Sequence, residues 1–153
     1  MVKIIEGNDT ETENLRSSLS MGIIDFLKEL RSRNITVKIV STSWYPITAE
    51  QWQEYLYHVS NILGLGFLKE EILTVDDPGP GLSADKGKKI RDDNKNIDVF
   101  LDNAMFADDS SGNIKSSTMV CNTLYIIKRK GLSVADMKYI KTSTMVSLYT
   151  FML

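Results

Sequence analysis

A chain of 153 residues is about one domain long, and a domain of that size can bury roughly two thirds of its unfolded surface without disulfides. With 42% hydrophobic and 25% charged residues the composition is that of an ordinary globular protein, which excludes the disordered and fibrous classes. The formal net charge of −2, from 18 basic and 20 acidic residues without a long run of either sign, argues against nucleic acid as a partner.

The single cysteine, Cys121, excludes an intramolecular disulfide and suits a cytoplasmic or other reducing intracellular compartment; its place before an apolar run marks it as a buried thiol. No apolar run approaches membrane-spanning length, and residues 1–8 lack the charged start and apolar centre of a secretory signal. A soluble chain with no membrane partner is the expectation.

Residues 2–5 form a short β-favouring run, followed by a polar stretch of turn and capping residues. From Leu15, apolar residues recur at three- and four-residue steps through Leu19, Ile23, Phe26, Leu27 and Leu30, predicting one amphipathic helix that Asn34 stops. Val37, Ile39 and Val40 are a β-branched strand ending in the hydroxyl cluster Ser41, Thr42, Ser43. Thr48 and Gln51 make a capping-box pattern for a helix with Trp52, Tyr55, Leu56, Val59, Ile62 and Leu63 on one face, closed by Gly64.

A third strand is predicted over residues 72–75, running into a proline- and glycine-stiffened loop over 76–81. Ser83 is placed to cap a short helix reaching about Asp92. A strand follows at 104–107, then a short helix from Asn113, a fifth strand at 123–127, and a closing helix from Ser133 to about Ser147 begun by a Ser-x-x-Asp cap. Strands alternating with helices predict an α/β fold: a single three-layer Rossmann-like domain over residues 1–153, with a five-stranded, mainly parallel sheet. In such sheets ligands bind outside the carboxyl ends of the strands.

The polar residues at those ends are Glu6 to Thr10, Ser41 and Thr42, Lys86 near a helix start, and Asp108 with Asp109. A carboxylate pair can hold Mg²⁺, and hydroxyls with an ammonium can hold phosphate oxygens. In this order and strand context the chain resembles the haloacid dehalogenase (HAD) phosphohydrolase superfamily over nearly its whole length. Residues 37–41 look like its second motif, Lys86 like its third, and the run Phe106-Ala107-Asp108-Asp109-Ser110-Ser111-Gly112-Asn113-Ile114 like its fourth. The resemblance implies a Rossmann-like fold, phosphate binding by Ser41, Thr42 and Lys86, Mg²⁺ held by Asp108 and Asp109, and a phosphate-bearing small molecule as partner. A substantial cap domain finds little room between Thr10 and Leu15.

The family's first motif, Asp-x-Asp-x-Thr, supplies nucleophile and general acid/base. Here its spacing falls on Glu6, Asn8 and Thr10, of which only the threonine matches. A longer glutamate misplaces the attacking oxygen, and losing about 1 Å of alignment costs roughly 100-fold in rate. Asn8 cannot give and recover a proton as a carboxyl does. A second alignment puts the true first motif upstream of Met1, which would leave four strands with a gap at the sheet's centre.

The expectation is therefore a relative of Mg-dependent phosphatases with impaired or lost turnover and a retained anion or metal site. Two alternatives stand beside it. One is an active phosphohydrolase using Glu6, Asp9 in a slipped register, or an upstream nucleophile; the other is a non-catalytic interaction module. The module would use the aromatic-rich helix of residues 48–63 or the apolar tail 145–153, which either packs on the domain or meets a protein partner. Plainer roles exist for the same residues: Thr10-x-x-Glu13 is itself a capping box, Ser41 to Ser43 suit turn hydroxyls, and Asp108 with Asp109 suits a helix-capping turn.

Overall fold

The first helical stretch divides where glycine and a tertiary hydrogen bond interrupt it. The computed structural model describes residues 9–82, 84–95, 99–127 and 131–153. In it, the helix expected from Leu15 to Leu30 is two helices, α1 (Asp9–Ser18) and α2 (Ile23–Ser32). Gly22 at the break has φ 80°, a left-handed conformation that costs glycine little, and the Ser20 N–H donates to the Leu153 carbonyl at 2.8 Å. Asn34, at φ 61°, ends α2 as its composition suggests.

β1 (Thr36–Thr42) follows, then α3 (Ala49–Leu63). The capping box of α3 is complete: Thr48 Oγ1 accepts from Gln51 N at 3.1 Å and Gln51 Oε1 from Thr48 N at 3.0 Å. Gly64 closes it at φ 71°. A 3₁₀ turn (Lys69–Glu71) leads into β2 (Ile72–Val75).

α4 (Lys86–Asp93) is capped by Asp85, whose Oδ1 accepts from Lys88 N at 2.8 Å; Ser83, the expected cap, lies outside the described residues. β3 (Leu101–Asp108) starts earlier than the expected 104–107, with an irregular register between Leu101 and Met105. α5 (Ser111–Ser117) is capped by Ser110, and β4 (Cys121–Tyr125) lies two residues before the expected 123–127.

The expected closing helix is cut short. α6 (Val134–Thr142) carries the Ser133/Asp136 capping box but stops before the hydroxyl run, where Thr142 and Ser143 both donate to the Tyr139 carbonyl. Such side chains offer the backbone an alternative to helix, and Ser143 is already extended. The chain then forms β5 (Ser147–Thr150), rich in residues that suit a pleated surface.

The sheet order is β2-β1-β5-β3-β4, all parallel. The expected strand at residues 2–5 lies outside the described residues, and β5 is the fifth strand. It stands at the centre, pairing Ser147 to Tyr149 with Thr36 to Lys38 on one side and Ser147 to Thr150 with Ala104 to Ala107 on the other.

Period-two alternation divides the sheet's residues between two helical layers. Val37, Ile39, Met105, Ala107 and Leu148 pack with α2, α3 and α6. Val40, Ala104, Phe106 and Tyr149 pack with Ile90 of α4 and Ile114 of α5. The result is the three-layer Rossmann-like arrangement expected from the sequence. Burying a side chain such as Leu148 completely contributes about 2 kcal/mol.

A polar network fastens α4 to the sheet's middle. The Tyr149 hydroxyl donates to Asp93 Oδ2 at 2.8 Å, Lys38 Nζ donates to the same oxygen at 2.7 Å, and Asn94 Nδ2 donates to Tyr149 at 3.0 Å. No helix among the described residues is long and apolar enough to cross a membrane.

Candidate functional site

Because every strand runs the same way, all five carboxyl ends share one edge of the sheet. β1 brings Ser41, Thr42 and Ser43 there, β3 brings Asp108 and Asp109, and β5 between them ends in Thr150 and Phe151. Glu6 and Asn8, expected at the degenerate first motif, lie outside the described residues.

Asp108 is buried at the end of β3 and makes an ion pair at 3.1 Å with Lys86, itself buried as the first residue of α4. Asn113 Nδ2 donates to the same Oδ2 at 2.9 Å, and the Asp109 backbone N–H donates to Oδ1 at 2.8 Å. Burial pushes the Asp108 carboxyl upward, but the Lys86 ammonium and the donors from Asn113 and Asp109 outweigh it and hold the group below its ordinary value. Local structure explains the convergence. The Asp85 cap fixes where α4 begins, and the Ser110 cap starts α5 so that Asn113 returns toward Asp108.

Gly87 lets α4 and α5 approach: a Cβ there would lie 3.0 Å from Ser117 Oγ and 3.2 Å from the Ser116 carbonyl. Neither the packing role of Gly87 nor the place of Asn113 beside the carboxylate is evident from residue type. The only signal for either is position, one residue after Lys86 and five after Asp108.

Asp109 lines a cavity bounded by α3, and its contact with Asp108 is one of the interactions that hold the Asp108 carboxyl below its ordinary value. Among the described residues, no three His, Cys, Asp or Glu side chains come together as a cation site. Both Asp108 oxygens are engaged by donors, one of them the Lys86 ammonium. Of the carboxylates expected around Mg²⁺, Asp108 is paired with Lys86, Asp109 contacts Asp108, and Glu6 lies outside the described residues.

Ser41 is buried, and its Oγ accepts from the Trp52 indole N–H at 2.9 Å. Thr42 beside it is half-buried. Ser43 Oγ accepts from Asp77 N at 3.3 Å, a turn-hydroxyl role. Asp77 in turn accepts from the Gly79 and Tyr45 backbone N–H groups, which hold its carboxyl below the ordinary value, and Asp76 Oδ1 accepts from Ala49 N at the start of α3. The stiff loop thus supports the β1–α3 turn.

With β5 interposed, Ser41 and Asp108 stand on strands about 9–10 Å apart, two strand spacings. They flank the end of the central strand rather than touching. Phe151, one residue beyond the Ala107–Thr150 pairing, follows that strand beside Asp108.

On the other face, a cavity of about 600 Å³ lies between α1, α3 and residues 151–153. Trp52 and Tyr55 on its wall are stacked, with centroids 5.2 Å apart and planes 21° from parallel. Trp44, just after the β1 hydroxyls, leans on Trp52 at 6.1 Å but stays 60% exposed.

No protein-family model, curated protein or solved structure matches the chain.

Proposed function

We propose that this chain is a HAD-like domain that has lost phosphoryl-transfer chemistry and keeps a non-hydrolytic phosphate site around Lys86. The observation that carries the reading is the buried Lys86–Asp108 pair, closed by Asn113, across the central strand from Ser41. Order and strand context follow the resemblance in the second, third and fourth motifs.

What stands between those groups supports the loss of turnover. A phosphoryl group held by Ser41 and Lys86 would face the end of β5, where in-line attack needs a nucleophile. Among the described residues, those there are Thr150, whose hydroxyl donates to the Ala107 carbonyl at 2.8 Å, and Phe151. Asp108 is committed to Lys86. An ammonium carries three donors, and Asp108 is the one acceptor Lys86 has among the described residues, so an anion's oxygens can take the others. The anion half of the expectation is thereby favoured over the cation half.

The interaction-module reading draws less support. Its apolar tail is largely internal: Met145, Leu148, Tyr149, Thr150 and Met152 are buried, and Val146 and Phe151 are exposed.

The test is an assay with p-nitrophenyl phosphate and Mg²⁺, alongside phosphate titration followed by ³¹P line broadening. No turnover above buffer is expected, with phosphate binding weakened tenfold or more in Lys86→Met. Mg²⁺-dependent turnover abolished by Asp108→Ala would overturn the reading in favour of an active phosphohydrolase. Absence of phosphate binding would remove the retained site.

A further inference from the structure

The apolar cavity occupies a switch in the sheet's topology. β1 connects to β2 in one direction along the sheet and β3 to β4 in the other, so the loops leaving β1 and β3 diverge. Crevices at such points, outside the carboxyl ends of strands, are where open α/β sheets take ligands. β5 closes the sheet below, while residues 151–153 beyond its end form one side of the cavity and α3 the other.

Its volume of about 600 Å³ is that of a small-molecule pocket, which typically spans roughly 300–1,000 Å³. The stacked Trp52–Tyr55 pair supplies one wall, and Leu56, Val59 and Leu63 continue it along α3. The Trp52 indole N–H is engaged by Ser41, so this residue offers the cavity apolar ring surface. Asp109 is the one ionised side chain among the described lining residues, which include no lysine, arginine or histidine, so an anionic head group finds no counter-charge.

We infer that this cavity binds an uncharged, largely apolar small molecule, aromatic or polycyclic, held against Trp52. Lys86 and Asp108 do not line the cavity, and failure of this inference leaves the phosphate reading untouched. Contact with Trp52 also gives binding a direct optical readout.

The experiment titrates the full chain with N-phenyl-1-naphthylamine, an uncharged fluorescent probe, and with the anionic 8-anilinonaphthalene-1-sulfonate. Saturable one-to-one binding of the neutral probe, at least tenfold tighter than the sulfonate and accompanied by quenching of tryptophan emission, is expected. Val59→Phe, which fills the cavity, weakens it at least tenfold with the melting curve unchanged; Leu19→Phe on the α1 side serves if Val59→Phe lowers stability. No saturable binding by the full chain, equal or tighter binding of the sulfonate, or indifference to both filling variants overturns the inference. So does binding that appears only after residues 1–8 are deleted, which would make the chain's own start the occupant.

Discussion

Replacing Lys86 with methionine isolates the energetics of the Asp108 cluster. The two side chains are 9% and 3% exposed, so solvent screens the pair little, and removing one partner of a buried pair costs about 3–5 kcal/mol. Asn113 and the Asp109 N–H remain to solvate the carboxylate, which places the expected loss near the lower figure, about 3 kcal/mol. For a domain of this length that is a fall in Tm of about 6–12 °C. The pH dependence has a definite sign. In the native protein the Asp108 carboxyl titrates below its ordinary value, so its stabilisation is present above the unfolded-state pKa and is lost as pH falls through the folded one. Without Lys86, burial dominates and the folded carboxyl titrates higher, so the variant's deficit is largest near neutrality and narrows on acidification. Urea unfolding at about pH 7 and about pH 4 measures both quantities, with the m-value checking two-state behaviour. A deficit below about 1 kcal/mol at neutral pH, or one that does not shrink in acid, refutes the picture of a desolvated, ammonium-held carboxylate.

Gly87→Ala introduces a Cβ at 3.0 Å from Ser117 Oγ and 3.2 Å from the Ser116 carbonyl, and the backbone atom cannot rotate away. Thermal melts should show a loss of about 1–3 kcal/mol, and Ser117→Gly in the same chain should not restore it fully. Tyr149→Phe removes the hydroxyl that donates to Asp93 and accepts from Asn94, at an expected cost of about 1–3 kcal/mol in chemical denaturation. Burial, and then the Asp93 carboxylate, push the Tyr149 hydroxyl's pKa above its ordinary value. Native stability therefore falls as pH rises past about 10, where the unfolded tyrosine ionises first, and Tyr149→Phe should flatten that fall. An unchanged alkaline unfolding profile would contradict the role assigned to the network.

Local sequence signals located most elements because each rested on short-range physics. The Thr48/Gln51 and Ser133/Asp136 caps mark helix starts through side-chain oxygens that accept backbone N–H groups within three residues. Val37 to Val40 and Ile72 to Val75 read as strands because a strand buried on both faces is a continuous β-favouring run. The larger misplacements involve partners far along the chain, although local hydrogen bonds from Thr142 and Ser143 to Tyr139 also end α6. Helix periodicity continues through Ser20 to Gly22, yet the Ser20 N–H is taken by Leu153, over a hundred residues away. Likewise, residues 147–150 extend an apolar tail behind a well-capped helix, and nothing within that window distinguishes a helix's last turn from a four-residue strand.

The same limit governs the site. Ser41 and Asp108 stand near strand ends and Lys86 opens a helix, places that local signals reveal, but their mutual geometry depends on which strand stands between β1 and β3. With residues 2–5 taken as that strand, the centre of the edge would belong to Glu6; with β5 paired to both neighbours, Phe151 follows it. β5 can take that place because parallel strands require long crossovers, and the connection from β4 through α6 is long enough to return across β3. Its residues suit the position: Leu148 and Tyr149 are buried on opposite faces, and Tyr149 reaches the α4 network that also holds Lys38. A polar residue with a free carboxylate at the end of β5 would have to displace Phe151 from the cavity wall it forms with α3. The packing that builds the apolar cavity and the place of Phe151 at the end of the central strand are thus consequences of one choice, the use of β5 as the sheet's centre.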